Sequence, residues 1–157
     1  MNLADIANDL FSRAFDQSTR AIRLRFGTQI GALFDGVLVP ERIDITEAVC
    51  DGITAHITCL TTRADLPLRQ LVGLPVEVQL ATDTGGLRRI CVVITEVRQG
   101  QSDGALTALQ LTGRDIFAVM DQRRSNRVFL NKSVLDIART VLSGWRTRFA
   151  PVAQAFD

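Results

Sequence analysis

The sequence predicts a mainly β fold with helices, an α+β chain built on an antiparallel β-barrel with an N-terminal helix and C-terminal helices, and three observations carry that prediction. Aliphatic and polar residues alternate in separate short runs between Ile22 and Thr112, the period-two signature of half-buried strands. Gly85-Gly86 and Asp103-Gly104 sit between such runs and supply the positive φ angles that tight hairpins require. Before residue 15 and after residue 115 the apolar spacing changes to three and four, which is helical.

Taken in order, Leu3, Ile6, Ala7, Leu10, Phe11 and Ala14 form the stripe of an amphipathic helix over residues 3–15. Ile22, Leu24 and Phe26 then alternate with Arg23 and Arg25 as a strand. The segment 37–45 is strand-like, but Pro40 has no N–H to donate, so this strand lies at an edge or is interrupted there. Residues 52–61 place Ile53, Ala55, Ile57 and Cys59 on one face and Thr54, His56 and Thr58 on the other. Asp65 is expected to cap a short helical turn that Pro67 opens and Gly73 stops. Val76, Val78 and Leu80 resume the alternation. The run from Ile90 to Ile94 is apolar on both faces, so a helix or a neighbouring subunit must cover its outer side. Left wet, each large aliphatic side chain would forgo roughly 1.5–3 kcal/mol. Leu106 to Thr112 alternate again, Asp115 is placed to cap a helix carrying Ile116, Phe117, Val119 and Met120, and a short strand is expected over 127–130. Ser133 with Asp136 forms a capping box for a last helix whose stripe is Val134, Ile137, Ala138, Val141 and Leu142. The organisation expected is an N-terminal helix over 1–18, a barrel over 19–114 and a helical segment with a tail over 115–157.

Composition narrows the function classes. With 157 residues, 46% hydrophobic and 22% charged, the chain has room for one core. Its formal net charge of +1 provides no global field for nucleic acid or anionic lipid. All basic residues except Lys132 are arginines, which suit planar contacts at protein interfaces. Cys50, Cys59 and Cys91 lack CxxC spacing and lie in or beside apolar runs, so they read as buried free thiols in a reducing compartment. No run approaches the ~18 apolar residues needed to span a bilayer, and the start lacks a secretory signal pattern. The chain is expected to be made in the cytoplasm, with any export by a non-classical route.

Reactive chemistry finds little support in the residues. His56 is the single histidine and would have to carry any imidazole mechanism. Its nearest thiol, Cys59, is three residues on and therefore on the opposite strand face, which argues against a zinc site. No GxGxxG or GxxxxGK sequence occurs, and the Gly85-Gly86 pair is explained by its hairpin. The residues thus imply no catalytic centre, no metal and no cofactor. The one local concentration of charge is Arg123, Arg124, Arg127 and Lys132, interleaved by a single aromatic, Phe129, in a chain without tyrosine. That poverty of stacking residues argues against a nucleic-acid partner and for a connector that pairs with acidic groups of a neighbouring domain.

Three blocks of the sequence resemble the VgrG family, the spike proteins of type VI secretion systems, and through it the hub of contractile phage tails. They are the helix and first strand from Leu3 to Phe26, the segment CLTTRADLPLRQLVGLPVEVQL from Cys59 to Leu80, and the stretch from Gly85 to Ile137. In the last, Val93-Ile94-Thr95-Glu96, the Ser102-Asp103-Gly104 turn and the run from Arg124 through Ile137 match the family's pattern. Two departures stand out: Asn126 separates Ser125 from Arg127, and Ala48-Val49-Cys50 replaces an aromatic-bearing segment.

The resemblance implies a mechanical, non-enzymatic part: the first barrel of a tail-hub-type base, present in a truncated or shortened product. Three copies of the full-length family assemble into a base of pseudo-sixfold symmetry that docks on the hexameric Hcp tube, contacts baseplate components and carries effectors outward when the sheath contracts. On this reading the interface candidates are Val92 and Ile94 of the doubly apolar strand and Arg123, Arg124, Arg127, Phe129 and Lys132 of the connector. The alternatives are a phage or phage-like baseplate hub, an adaptor that grips a chaperone or effector through the N-terminal helix, and an enzyme domain using His56.

Overall fold

The computed structural model describes residues 16–18 and 20–146. Six strands, β1 (Ile22–Phe26), β2 (Val39–Ala48), β3 (Gly52–Thr61), β4 (Pro75–Ala81), β5 (Leu87–Ser102) and β6 (Thr107–Arg114), form one antiparallel sheet in the order β1-β4-β5-β6-β3-β2. Two helices follow, α1 (Ile116–Met120) and α2 (Val134–Arg146). The helix expected over 3–15 lies outside the described residues. Among those described, no helix is long and apolar enough to cross a membrane.

β5 makes the sheet curl. This 16-residue strand pairs with β4 through Leu87–Val93 and with β6 through Val93–Ser102. A register shift between Ile94 and Glu96 bends it where it passes from one partner to the other, and a second shift lies between Gln99 and Ser102 near its end. Gly85 at φ +81° and Gly104 at φ +91° supply the left-handed positions of its two flanking turns. In the second turn the Asp103 carboxylate accepts from the N–H groups of Ala105 and Leu106 at 2.9 and 2.7 Å. These bonds hold its pKa below the ordinary carboxylate value.

The curl brings β1 and β2 side by side, yet no ladder joins them among the described residues, so the barrel is half closed. Side chains seal the seam instead. Gln17 donates to the Leu38 carbonyl at 2.9 Å and accepts from the Leu24 N–H at 2.8 Å, and Asp35 accepts from the Phe26 N–H at 3.2 Å. Pro40, as expected of an edge strand, coincides with a register shift in β2.

Inside the curl one apolar cluster runs from Leu24 and Phe26 through Phe34, Leu38, Ile57 and Leu71 to Val76, Ile90, Val92, Ile94, Leu109 and Leu111. Val93, on the outer side of β5, is covered by Ile116 of α1, with Val119 and Trp145 packed beside them. A helix of this same chain therefore covers the second apolar face of β5.

Several expectations need correction. Residues 127–130 form no strand, because no neighbouring edge is there to pair with them. The turn at Leu68–Gln70 is a 3₁₀ turn led by Pro67 without a side-chain cap. Asp65 instead accepts from the Arg63 guanidinium at 3.3 Å. Of the three free thiols only Cys59 is buried, whereas Cys50 sits in the β2–β3 turn and Cys91 on the outer face of β5, both exposed. The stripe of α2 is largely uncovered: Val134 and Ala138 are exposed, while Ile137, Val141 and Leu142 are half-buried.

Candidate functional site

The outer face of the sheet carries the ionisable residues, and many of them pair across or along strands. On that face Arg98 bonds Glu96 at 2.7 Å and Arg89 approaches Glu77 at 3.9 Å, whereas Arg88, in phase with the core residues Ile90 and Val92 of β5, pairs with Glu47 of the non-adjacent strand β2. His56 stands on this face on an open shelf with Arg42, Asp44, Glu96 and Arg98, its Nδ1 3.5 Å from the Thr112 hydroxyl. Cys59 points the other way into the core, where burial pushes its thiol up to about 12. No group of three or more metal-ligating side chains converges among the described residues.

The sequence-derived interface candidates separate into three kinds. Val92 and Ile94 are 2% and 0% exposed in the chain's own core, so neither is available to a neighbour. The apolar run that marked them is satisfied internally, because the curl of the sheet encloses both. Arg123 and Arg127 brace the connector against α2. The Arg123 guanidinium lies 6.0 Å from the Trp145 ring centroid. Arg127 reaches Gly144, where an added Cβ would stand 3.8 Å from its Nη1, a favourable place for a cation near a helix C-terminus. Arg124 and Lys132 are exposed, and Phe129 is half-buried.

What sequence reasoning missed is apolar. Val128, Leu130, Val134 and Leu135 are 87%, 78%, 82% and 67% exposed, and Phe117 of α1 is 57% exposed. The short apolar run Val128-Phe129-Leu130 resembles that of a buried strand, and the signal that separates the cases is the absence of any pairing run nearby. The connector thus presents aliphatic side chains flanked by Arg124 and Lys132. It is held in shape by the two arginine braces and by the Ser133–Asp136 box, whose hydroxyl–carboxylate bond is 2.7 Å and whose Asp136 N–H donates back at 3.2 Å.

At the end of the barrel beside α1, Asp115 ties three elements together. Its carboxylate accepts from the Ile53 N–H and from the Ala118 N–H, each at 3.0 Å, capping α1 and fixing the β2–β3 turn. That turn carries Val49, 95% exposed, and Cys50 at φ +73°.

Comparison with known proteins places this architecture. VgrG1b of Pseudomonas aeruginosa, a type VI secretion system spike protein, is 27% identical over 128 residues, 82% of this chain and 17% of VgrG1b. The chain therefore spans about a sixth of the length of that relative. The fold is shared with the Escherichia coli type VI secretion component c3393, described as similar to the T4 bacteriophage tail proteins gp27 and gp5. That match has a TM-score of 0.60 and 15% identity over 76% of this chain and 31% of that one. A tail protein from Neisseria meningitidis MC58 matches with a TM-score of 0.53 and 22% identity over 80% and 33% of the two chains. Residues 46–155 match the phage tail baseplate hub (GPD) family, and with more than half its length inside that match the chain belongs to this family of hub proteins.

Proposed function

We propose that this chain is a wall segment of a type VI secretion spike base, one that associates with two further copies and docks on the Hcp tube. The observation that carries the reading is the set of exposed aliphatics on the connector, Val128 and Leu130, and on the first turn of α2, Val134 and Leu135, on a body whose own core is complete without them. Contiguous exposed aliphatics rimmed by cations are the composition of an interface centre. Arg124, Lys132 and Phe129 belong to that surface as contact residues, with Arg123 and Arg127 holding it in shape. Family membership and the likeness to VgrG1b support the choice of machine. As part of a longer spike the segment would meet baseplate components, and effectors would travel with its parent.

Light scattering on the purified chain, followed by co-sedimentation with Hcp hexamers, tests both parts. A trimer that pellets with the tube is expected. A strict monomer that ignores the tube would sink the reading. A phage-type baseplate is the second reading, favoured by the phage tail description of the matched family. Binding to a phage tail-tube protein in preference to Hcp would select it.

A further inference from the structure

One strand of the sheet keeps an open side. β5 pairs with β4 over residues 87–93, but β6 accompanies it only from Val93 onward, so over 87–92 its other side meets no strand among the described residues. The Ile94 N–H donates to Leu74 and the Ile94 and Gly86 carbonyls accept from Gly73 and Thr82, so the even-numbered residues turn their main chain toward β4. By alternation the N–H and C=O groups of Leu87, Arg89 and Cys91 point the other way. At the last shared level Thr54, Arg114 and Val93 stand abreast on β3, β6 and β5. Gly52 and Cys91 continue on either side, but the chain has left the line of β6, because Ile116 bends outward onto Val93. The gap between them is two ladder spacings, roughly 9–10 Å, which is the room of one strand. A cavity of about 810 Å³ bordered by Cys50, Gly52, Cys91, Arg114 and Phe117 opens into it.

The same chain carries a strand-like run without an edge. Residues 124–130 make no main-chain to main-chain hydrogen bond with any described residue. Val128 and Phe129 are of the types that favour an extended chain, and Asn131 at φ +53° ends the run. Arg127 against α2 on one side and the Ser133–Asp136 box on the other hold it in place. We infer that residues 127–130 of one copy add as a strand to the open side of β5 in the next copy, taking the place that β6 vacates. The inference rests on the self-association proposed above and adds which segments meet and by what bonds. N–H and C=O groups of opposite partial charge, repeating at every second residue, are matched by another extended main chain. Within one copy no such bond joins the two segments, so the match is made between copies. The two segments differ, so the contact is heterologous and closes into a ring when its rotation permits, a geometry a trimer satisfies.

Amide exchange resolved by residue, on the full chain below and above its association concentration, tests the contact. On association the Leu87, Arg89 and Cys91 amides should gain protection on the order of tenfold or more, while those of Arg88, Ile90 and Val92, already turned to β4, stay unchanged. Arg89→Pro removes one open N–H at a position an edge strand tolerates and should weaken association on the order of tenfold, with β3 exchange confirming that the variant is folded. Native Cys91, exposed and free, reports the occupant. A chain carrying V128C, C50S and C91S is mixed with one carrying C50S alone and oxidised mildly, and a disulfide between the V128C thiol and Cys91 of the other copy is expected by mass spectrometry. A trimer whose Leu87, Arg89 and Cys91 amides exchange as in the monomer, or whose V128C thiol never bonds Cys91, overturns this contact and leaves self-association standing. Protection of those amides in the dilute monomer also overturns it, because a segment of the same copy then fills the place. A chain that never associates removes both.

Discussion

At the residue scale, Asp115 joins two elements that are far apart in sequence. Asp115→Ala removes a helix cap and leaves the Ile53 N–H without its carboxylate partner. The expected loss is about 1–2 kcal/mol, read as a lower denaturant midpoint at unchanged slope. Gly113 shows the opposite constraint. A Cβ there would stand 2.5 Å from Val92 Cγ2, so Gly113→Ala is expected to cost about 1–3 kcal/mol by overpacking the core. The cysteines offer a chemical check. With its thiol held near 12 by burial, Cys59 stays protonated and unreactive at pH 8. Iodoacetamide should therefore label exposed Cys50 in the native chain, label Cys91 more slowly because burial and then Glu77 raise its pKa, and reach Cys59 only after unfolding. Native labelling of Cys59 would contradict the packing described.

At the scale of elements, the β5–β6 turn carries a pH dependence of its own. The Asp103 pKa is lowered by bonds from Leu106 and Ala105, so the stabilisation is present above the unfolded carboxylate pKa and is lost as pH falls through the lower folded value. Amide exchange at Ala105 and Leu106, corrected for intrinsic pH dependence, should lose protection in that acidic range while the β3 amides keep theirs. For α2, the described attachment to the barrel side runs through Trp145, packed near Val93 and Ile116 and faced by Arg123. Trp145→Ala is expected to fall below the ~3–5 kcal/mol typical of a fully buried tryptophan, because the site is only half-buried. Limited proteolysis should then cut within 121–133 first, and a variant cleaved no faster than wild type would argue against this anchoring role.

For the whole molecule, closure and the proposed self-association are separable. Gln17→Ala removes both bonds that bridge β1 and the segment before β2, and should destabilise the fold by about 1–3 kcal/mol with no change in assembly surface. The double variant V128E/L130E should do the reverse. These side chains are exposed, so unfolding should shift by no more than about 0.5 kcal/mol, while association drops below detection in light scattering. Retention of the trimer by V128E/L130E would move the interface elsewhere.

The chain's alternation was sufficient to place β1, β3, β4 and the apolar half of β5, because period-two patterning on a half-buried wall is a local property. Capping chemistry likewise identified Asp115 and the Ser133–Asp136 box, whose bonds form within a few residues. Which apolar runs end up inside is not local. Val92-Val93-Ile94 and Val128-Phe129-Leu130 are both short continuous apolar runs, yet Val92 and Ile94 are enclosed by the curl of the sheet and Val128 and Leu130 face solvent. Only the tertiary arrangement decided that difference, because burial depends on which distant strands arrive to cover a face. The same arrangement gave Gln17 its place at the seam and set two of the connector's exposed arginines against α2.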